Sequence, residues 1–248
     1  MAIKSLFNKR LNILLFISLV FSINCFAQDK PRRVVAGIIS SKTVALAYKG
    51  QIDTLVIPIA SSAYPQLQKA LSEDELFGES VSELVKEYRK CGCGITSLNY
   101  DITFLNKDIL SITLNYESMG AHPDQYTKYI VLNIHTGKPY LLSDQLTPGG
   151  LTWALGNYKA LMKKRILADK KDFGAEMDTS TVNMMNERID ELTVEDFTRQ
   201  YAFTKDGIMF TIEQILPHVI RNMEPDRDWE VKYGIFKVIT KPTALVKN

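Results

Sequence analysis

Residues 98–146, LNYDITFLNKDILSITLNYESMGAHPDQYTKYIVLNIHTGKPYLLSDQL, constrain the fold more than any other stretch of this chain. Tyr100, Ile102 and Phe104 alternate with Asn99, Asp101 and Thr103. Leu110, Ile112, Leu114 and Tyr116 then alternate with Ser111, Thr113, Asn115 and Glu117. Successive strand side chains point to opposite faces, so this period of two predicts strands with one apolar and one polar face. Asn106-Lys107-Asp108 is a short turn between them. A third strand over Tyr126 to Ile134 runs into His135-Thr136-Gly137-Lys138. Strands this close in sequence pair antiparallel, because a parallel pair needs a long crossover.

The flanking segments supply further strands and the helices that cover them. Thr43 to Ile59 reads as a hairpin turning at Lys49-Gly50, and Pro58 suggests a sheet edge because it cannot donate to a ladder. Ser72 with Glu75, and Ser80 with Glu83, have capping-box spacing. After the second pair, Val81, Leu84, Val85 and Tyr88 fall on one helical face, and Gly92 and Gly94 end that helix. Thr147-Pro148 signals another helix start, with Leu151, Leu155, Tyr158 and Met162 as its apolar stripe. Lys170 to Thr181 reads as a polar loop and Val182 to Leu192 as a helix. Strands are expected over Gln200 to Phe203, Ile208 to Ile212 and Val231 to Ile239. The sum is an α+β layered fold, antiparallel sheets covered by helices, with a possible subdivision near residue 146.

The start of the chain predicts export. Lys4, Lys9 and Arg10 precede the apolar run Leu11 to Ile23, and Cys25-Phe26-Ala27 has small side chains where a signal peptidase reads. The run is short for a spanning helix, which needs about 20 apolar residues. Residues 1–27 are therefore read as a signal peptide and 28–248 as an exported domain, periplasmic or secreted. Acylation at Cys25 is the alternative. The leader holds three of the 30 basic residues and none of the 28 acidic ones, leaving 27 against 28. The formal charge of +2 thus becomes −1, which gives no reason to expect a nucleic-acid partner.

Cys91 and Cys93 are the other two cysteines, separated by Gly92. An oxidising compartment favours a disulfide between them, and the glycine relaxes the backbone limits on so tight a ring. Free thiols or redox work are the alternatives. Two sulfurs make only half of a tetrahedral metal site.

The order Leu110 to Tyr116, Gly120-Ala121-His122, Thr136-Gly137-Lys138 and Leu141-Leu142-Ser143-Asp144-Gln145-Leu146 resembles an extracytoplasmic family of largely unknown function, the RsiV-like domains. The family includes the outer domain of lysozyme-sensing anti-sigma factors and a non-catalytic domain of some peptidoglycan deacetylases. Tyr201 to Ile212, around Asp206-Gly207-Ile208, resembles its last hairpin, and Tyr64-Pro65-Gln66-Leu67 its usual start. The resemblance implies a sheet-and-helix domain that binds a wall-active protein or the wall itself. Met119 stands where the family usually has the first of two glycines, and His218-Val219 follows Pro217 where an aromatic-alanine pair is usual. Only Met1 to Arg10 precede the apolar run, so neither a sigma-binding segment nor a deacetylase domain is expected.

Candidate site residues are few. Gly120, Ala121, His122 and Asp124 form a loop between strands, where binding groups gather. His122 is either a partner contact or a ring that fixes the turn. Trp229, flanked by Asp226, Arg227, Asp228 and Glu230, is either an exposed anchor or a core residue. Histidines 122, 135 and 218 lack the spacing of a zinc helix, and no G-x-S-x-G elbow occurs. Glu117, Asp124 and Asp144 would support a hydrolase only if carboxylates converged across a cleft. The expectation is a non-catalytic module without cofactor that binds a cell-envelope protein, a lysozyme-type muramidase first. The alternatives are a peptidoglycan or polysaccharide binder and an unrecognised hydrolase.

Overall fold

A computed structural model of the protein describes residues 37–236 together with 240, 241, 244 and 246. The expected signal peptide and Cys25 lie outside the described residues, as does part of the strand expected over Val231 to Ile239. Ala36–Asn248 forms one compact unit, and its fold is mixed α+β.

The chain opens with a hairpin, β1 Ile39–Tyr48 and β2 Gln51–Ala60, turning at Lys49-Gly50. Three helices follow: α1 Pro65–Ala70, α2 Glu73–Phe77 and α3 Val81–Cys91. Ser80 and Glu83 form a full capping box at the start of α3. Ser72 caps α2 only one way, accepting from the Glu75 amide. The meander β3 Gly94–Leu105, β4 Ile109–Met119 and β5 Pro123–Asn133 comes next, and the five strands form one sheet in the order β1-β2-β3-β4-β5.

One pairing departs from the antiparallel expectation. Strands β2 and β3 are parallel, with Leu55 beside Leu98. The reason is the crossover through α1 to α3, which returns the chain to the same end of the sheet. Pro58 does not mark an edge strand, because β1 is the edge. It lies past the Leu55–Leu98 pair, where its missing N–H breaks no described β3 rung.

The second half of the chain builds the layer on the other face. A short helix α4 Leu142–Gln145 leads into α5 Pro148–Phe173, whose N-cap Thr147 accepts from the Gly150 amide. Helices α6 Thr179–Glu191 and α7 Val194–Phe197 follow. A small sheet then forms from β6 Tyr201–Phe203, β7 Gly207–Phe210 and β8 Trp229–Lys232. Most of the expected polar loop over Lys170 to Thr181 is helical. Lys170 donates to the carbonyls of Gly174 and Met177, closing the end of α5, and Asp178 caps α6. The final strand stops at Lys232 and passes into a 3-10 turn, Tyr233–Phe236. There the Tyr233 amide turns to the Asp206 carbonyl instead of continuing the ladder.

Two apolar clusters share the five-stranded sheet. Leu110, Ile112, Leu114 and Tyr116 of β4 pack with Leu67, Leu84 and Tyr88 of the helices α1 to α3. Ile109 and Val131 pack with Tyr158 and Met162 of α5 and Phe203 of β6. The sequence places Phe104 on the same face as Tyr100 and Ile102, and the structure does not. A register shift between Ile102 and Phe104 brings Phe104 opposite Ser111, and it packs in the second cluster at 6.0 Å from the Phe203 ring. A bulge inserts one residue and re-aims the next side chain. Ser111, fully buried, then accepts hydrogen bonds from the Phe203 amide at 3.0 Å and the Thr103 hydroxyl at 2.8 Å, pinning β6 across the sheet.

A disulfide joins Cys91 to Cys93 with Cα atoms 5.2 Å apart, and Gly92 between them has φ +67°. A Cβ at Gly92 would meet the Tyr48 ring at 2.4 Å, so the turn lies close against that ring. Alkylation of unreduced protein lacking residues 1–27 should find no free thiol, and two would refute the bridge. The ring is small, so its reduction should lower stability by only about 1.5 kcal/mol.

Candidate functional site

The polar face of the sheet is only partly covered. Strand β6 lies over one end of it, around Ser111. Further along, Asn99, Asn115 and Glu117 floor an open cleft of about 820 Å³. Asn99 and Asn115 are cross-strand partners, as are Ser97 and Glu117, so strand alternation puts these polar side chains on one surface. The opposite wall is the segment from Thr211 to Asp228.

Ion pairs and backbone hydrogen bonds hold that wall in place. Glu224, its side chain 4% exposed, accepts from the Ile215 amide at 2.8 Å and lies 3.4 Å from Arg227 Nε. Arg227 Nη1 donates to the Ile212 carbonyl at 2.7 Å, which closes a tight internal loop. Arg165 of α5 donates to the carbonyls of Asp226 and Asp228, and the Tyr158 hydroxyl donates to the Arg227 carbonyl at 2.7 Å. Arg221 reaches across the cleft to Asp124 at 2.7 Å and also donates to Gln214 at 3.2 Å. Burial among these groups, then the nearby Asp228 carboxylate, pushes the Tyr129 hydroxyl up to about 12.

The sequence-derived candidates divide. Asp124 lines the cleft and forms its ion pair. Gly120, Ala121 and His122 sit beside it at the exposed tip of the β4–β5 hairpin, where the Gly120 amide donates to the His122 carbonyl at 3.3 Å. A side chain at Gly120 would meet nothing within 4 Å. Trp229 is half-buried in an aromatic cluster with Phe210 at 5.6 Å, Tyr158 at 6.2 Å and Trp153 at 6.3 Å. It follows the cleft-lining Asp226 to Asp228 but is not itself a lining residue. Cys91 and Cys93 take no part in the lining. His135 is exposed, 3.6 Å from Asp108, and the His218 side chain is outside the described residues.

Sequence reasoning missed Asn99, Asn115, Arg221 and Arg227. The signal was present in part, since the polar half of the alternation is the cleft floor and the charged run before Trp229 is its wall. The basic run of α5 is spent largely within the molecule: Lys163 pairs with Asp190 at 2.6 Å, and Arg165 and Lys170 hold carbonyls.

Among the described residues no cluster of three or more His, Cys, Asp or Glu side chains is placed to hold a metal ion. No helix among them is long and apolar enough to cross a membrane. Glu117, Asp124, Glu213, Glu224, Asp226 and Asp228 all line the cleft.

No protein-family model matches the chain, and no curated protein matches its sequence. Solved structures similar to it include two DUF3298 proteins. A DUF3298 family member from Bacteroides fragilis is 18% identical with a TM-score of 0.45, covering 83% of this chain and 93% of its own. A DUF3298 family protein from Pseudomonas aeruginosa is 17% identical with a TM-score of 0.53, covering 83% of this chain and 95% of its own. The second likeness is one of fold, shared with a protein of an uncharacterised domain family.

Proposed function

We propose that the protein is an exported, non-catalytic binding module of the cell envelope, and that its cleft takes a polar polymer of the peptidoglycan or polysaccharide class. The observation that carries this reading is the cleft itself, a concavity floored by Asn99 and Asn115 with Gln125 and Gln214 at its sides. Carboxamides both donate and accept, which suits them to chains of hydroxyl and amide groups. Tyr126, Tyr129 and Arg221 also line it, and these are residue types that dominate protein hot spots, so they suit a competing protein occupant. The RsiV-like resemblance adds the envelope setting. A lysozyme-type muramidase is the competing occupant that this resemblance implies.

Co-sedimentation with insoluble sacculi tests the reading. The mature protein should pellet with sacculi, and the double variant Asn99→Ala, Asn115→Ala should bind about tenfold more weakly, as expected for two lost hydrogen bonds. Absence of the protein from the pellet would refute a wall-polymer ligand. Retention on immobilised lysozyme with no binding to sacculi would put the protein partner in its place. One observation favours a second reading, a wall hydrolase: Glu117, Glu213, Asp226 and Asp228 line the same concavity. Release of soluble fragments from the sacculi in that assay would establish it.

A further inference from the structure

We propose that the outer edge of β5 is a docking strip for an extended acidic peptide, which adds there as a sixth strand. Strand β5 is the last of its sheet, and one end of its outer edge is already used. The Tyr140 amide donates to the Val131 carbonyl, the Asn133 amide to the Lys138 carbonyl and the Gly137 amide to the Asn133 carbonyl, each at 2.9 Å. In a strand both backbone groups of a residue point the same way and alternate along the chain. With Val131 and Asn133 facing outward, Thr127 and Tyr129 face outward too. Their N–H and C=O groups have no backbone partner among the described residues. The next outward amide, that of Gln125, is taken by the Asp124 carboxylate at 2.9 Å, which ends the strip.

The surroundings fit a strand. A groove of about 740 Å³ runs beside this edge, between Lys69 and Ala70 of α1 on one side and Thr198, Arg199 and Tyr201 on the other. Leu141, 56% exposed, gives it an apolar end. The charges select the occupant. Lys69, Lys128 and Lys138 line the groove, and none has a carboxylate partner among the described ion pairs. Glu195 is neutralised by Arg199 at 3.0 Å, so Glu75 alone opposes the three lysines. A second copy pairing two-fold through the same edge would set lysine against lysine, whereas an acidic strand would meet them with opposite charge. Strand addition draws affinity from main-chain hydrogen bonds and specificity from flanking side chains.

The probe is a synthetic peptide alternating Glu and Val, about six residues long to match a typical strand. Titrated into the full protein, it should bind saturably below about 1 mM and shift the amide resonances of Thr127 and Tyr129. The same peptide N-methylated at alternate residues should lose at least about tenfold, because it cannot complete the ladder. A Lys-Val peptide should not bind, and the variant Lys69→Glu, Lys128→Glu should weaken the acidic peptide about tenfold. Changing the peptide leaves the protein intact, so a folding defect in that variant cannot decide the matter. Equal binding of the N-methylated peptide, absence of binding, or concentration-dependent dimerisation through this edge would each overturn the proposal. Thr127 and Tyr129 also line the cleft; the N-methylated peptide tests main-chain pairing and the sacculus assay does not, so the two readings fail separately.

Discussion

Alanine at Gly137 should cost the protein about 3 kcal/mol of stability. Two effects add at this position. Gly137 has φ +64°, a left-handed conformation that costs an L-residue roughly 1–2 kcal/mol. Its missing Cβ would also lie 2.3 Å from the Gln66 carbonyl oxygen, and backbone cannot swing aside as a side-chain end can. Forced overpacking costs about 1–3 kcal/mol more. Gly207→Ala should be comparably severe without any φ penalty, because its Cβ would meet the Val231 carbonyl oxygen at 2.1 Å across the β7–β8 ladder. Gly149→Ala is the control: it lies in the first turn of α5 with nothing within 4 Å, so stability should stay level or rise by up to about 1 kcal/mol. Urea unfolding of the three variants measures the contrast. A loss under about 1 kcal/mol at Gly137 would show that α1 yields to the turn.

Gln145→Leu should cost about 3 kcal/mol and free the end of the chain. Gln145 is 2% exposed, and its Nε2 donates to the Val246 carbonyl at 2.8 Å. Its Oε1 accepts from the Val246 amide at 3.4 Å and the Tyr140 hydroxyl at 3.3 Å. Leucine keeps the approximate volume and leaves three polar groups without this partner, each worth about 1–3 kcal/mol if it stays buried. The segment around Val246 escapes most of that cost by leaving its seat, so limited proteolysis should clip the variant beyond residue 240 well before the wild type. An unchanged proteolysis pattern together with a loss under about 1 kcal/mol would show that water replaces the clamp.

These two predictions recast the motifs that carry the family resemblance. Gly137, Gly207 and Gln145 each belong to one of these motifs, and in the structure each answers a packing or hydrogen-bonding demand. Of the motif residues, Asn115, Tyr116, Thr211 and Ile212 line the cleft, whereas the hairpin tip at Gly120-Ala121-His122 borders it only through Asp124. Glycine and glutamine positions of the motifs therefore encode the fold, and only the few at the cleft bear on a ligand.

Much of the local structure was legible. The helix beginning at Thr147-Pro148, the Ser80 capping box and the alternation of β4 depend on near neighbours, and the structure has each of them. Two of the misreadings share a cause in contacts distant in sequence. Phe104 left its expected face because a bulge lets it meet Phe203. Strands β2 and β3 run parallel because three helices intervene. The helix through Lys170 was hidden by its polar side chains.

The candidate site shows the same division. The alternation of Asn99, Asn115 and Glu117 determined, from sequence alone, that one face of the sheet is polar. It could not say whether that face meets open solvent or lines a cleft. That was decided by Arg165 holding the 226–228 backbone from α5, Glu224 folding the 212–216 segment onto itself, and Arg221 reaching Asp124 across 97 positions of chain. Periodicity is a property of neighbouring residues and survives in the sequence. A concavity is made by residues that only the folded chain brings together.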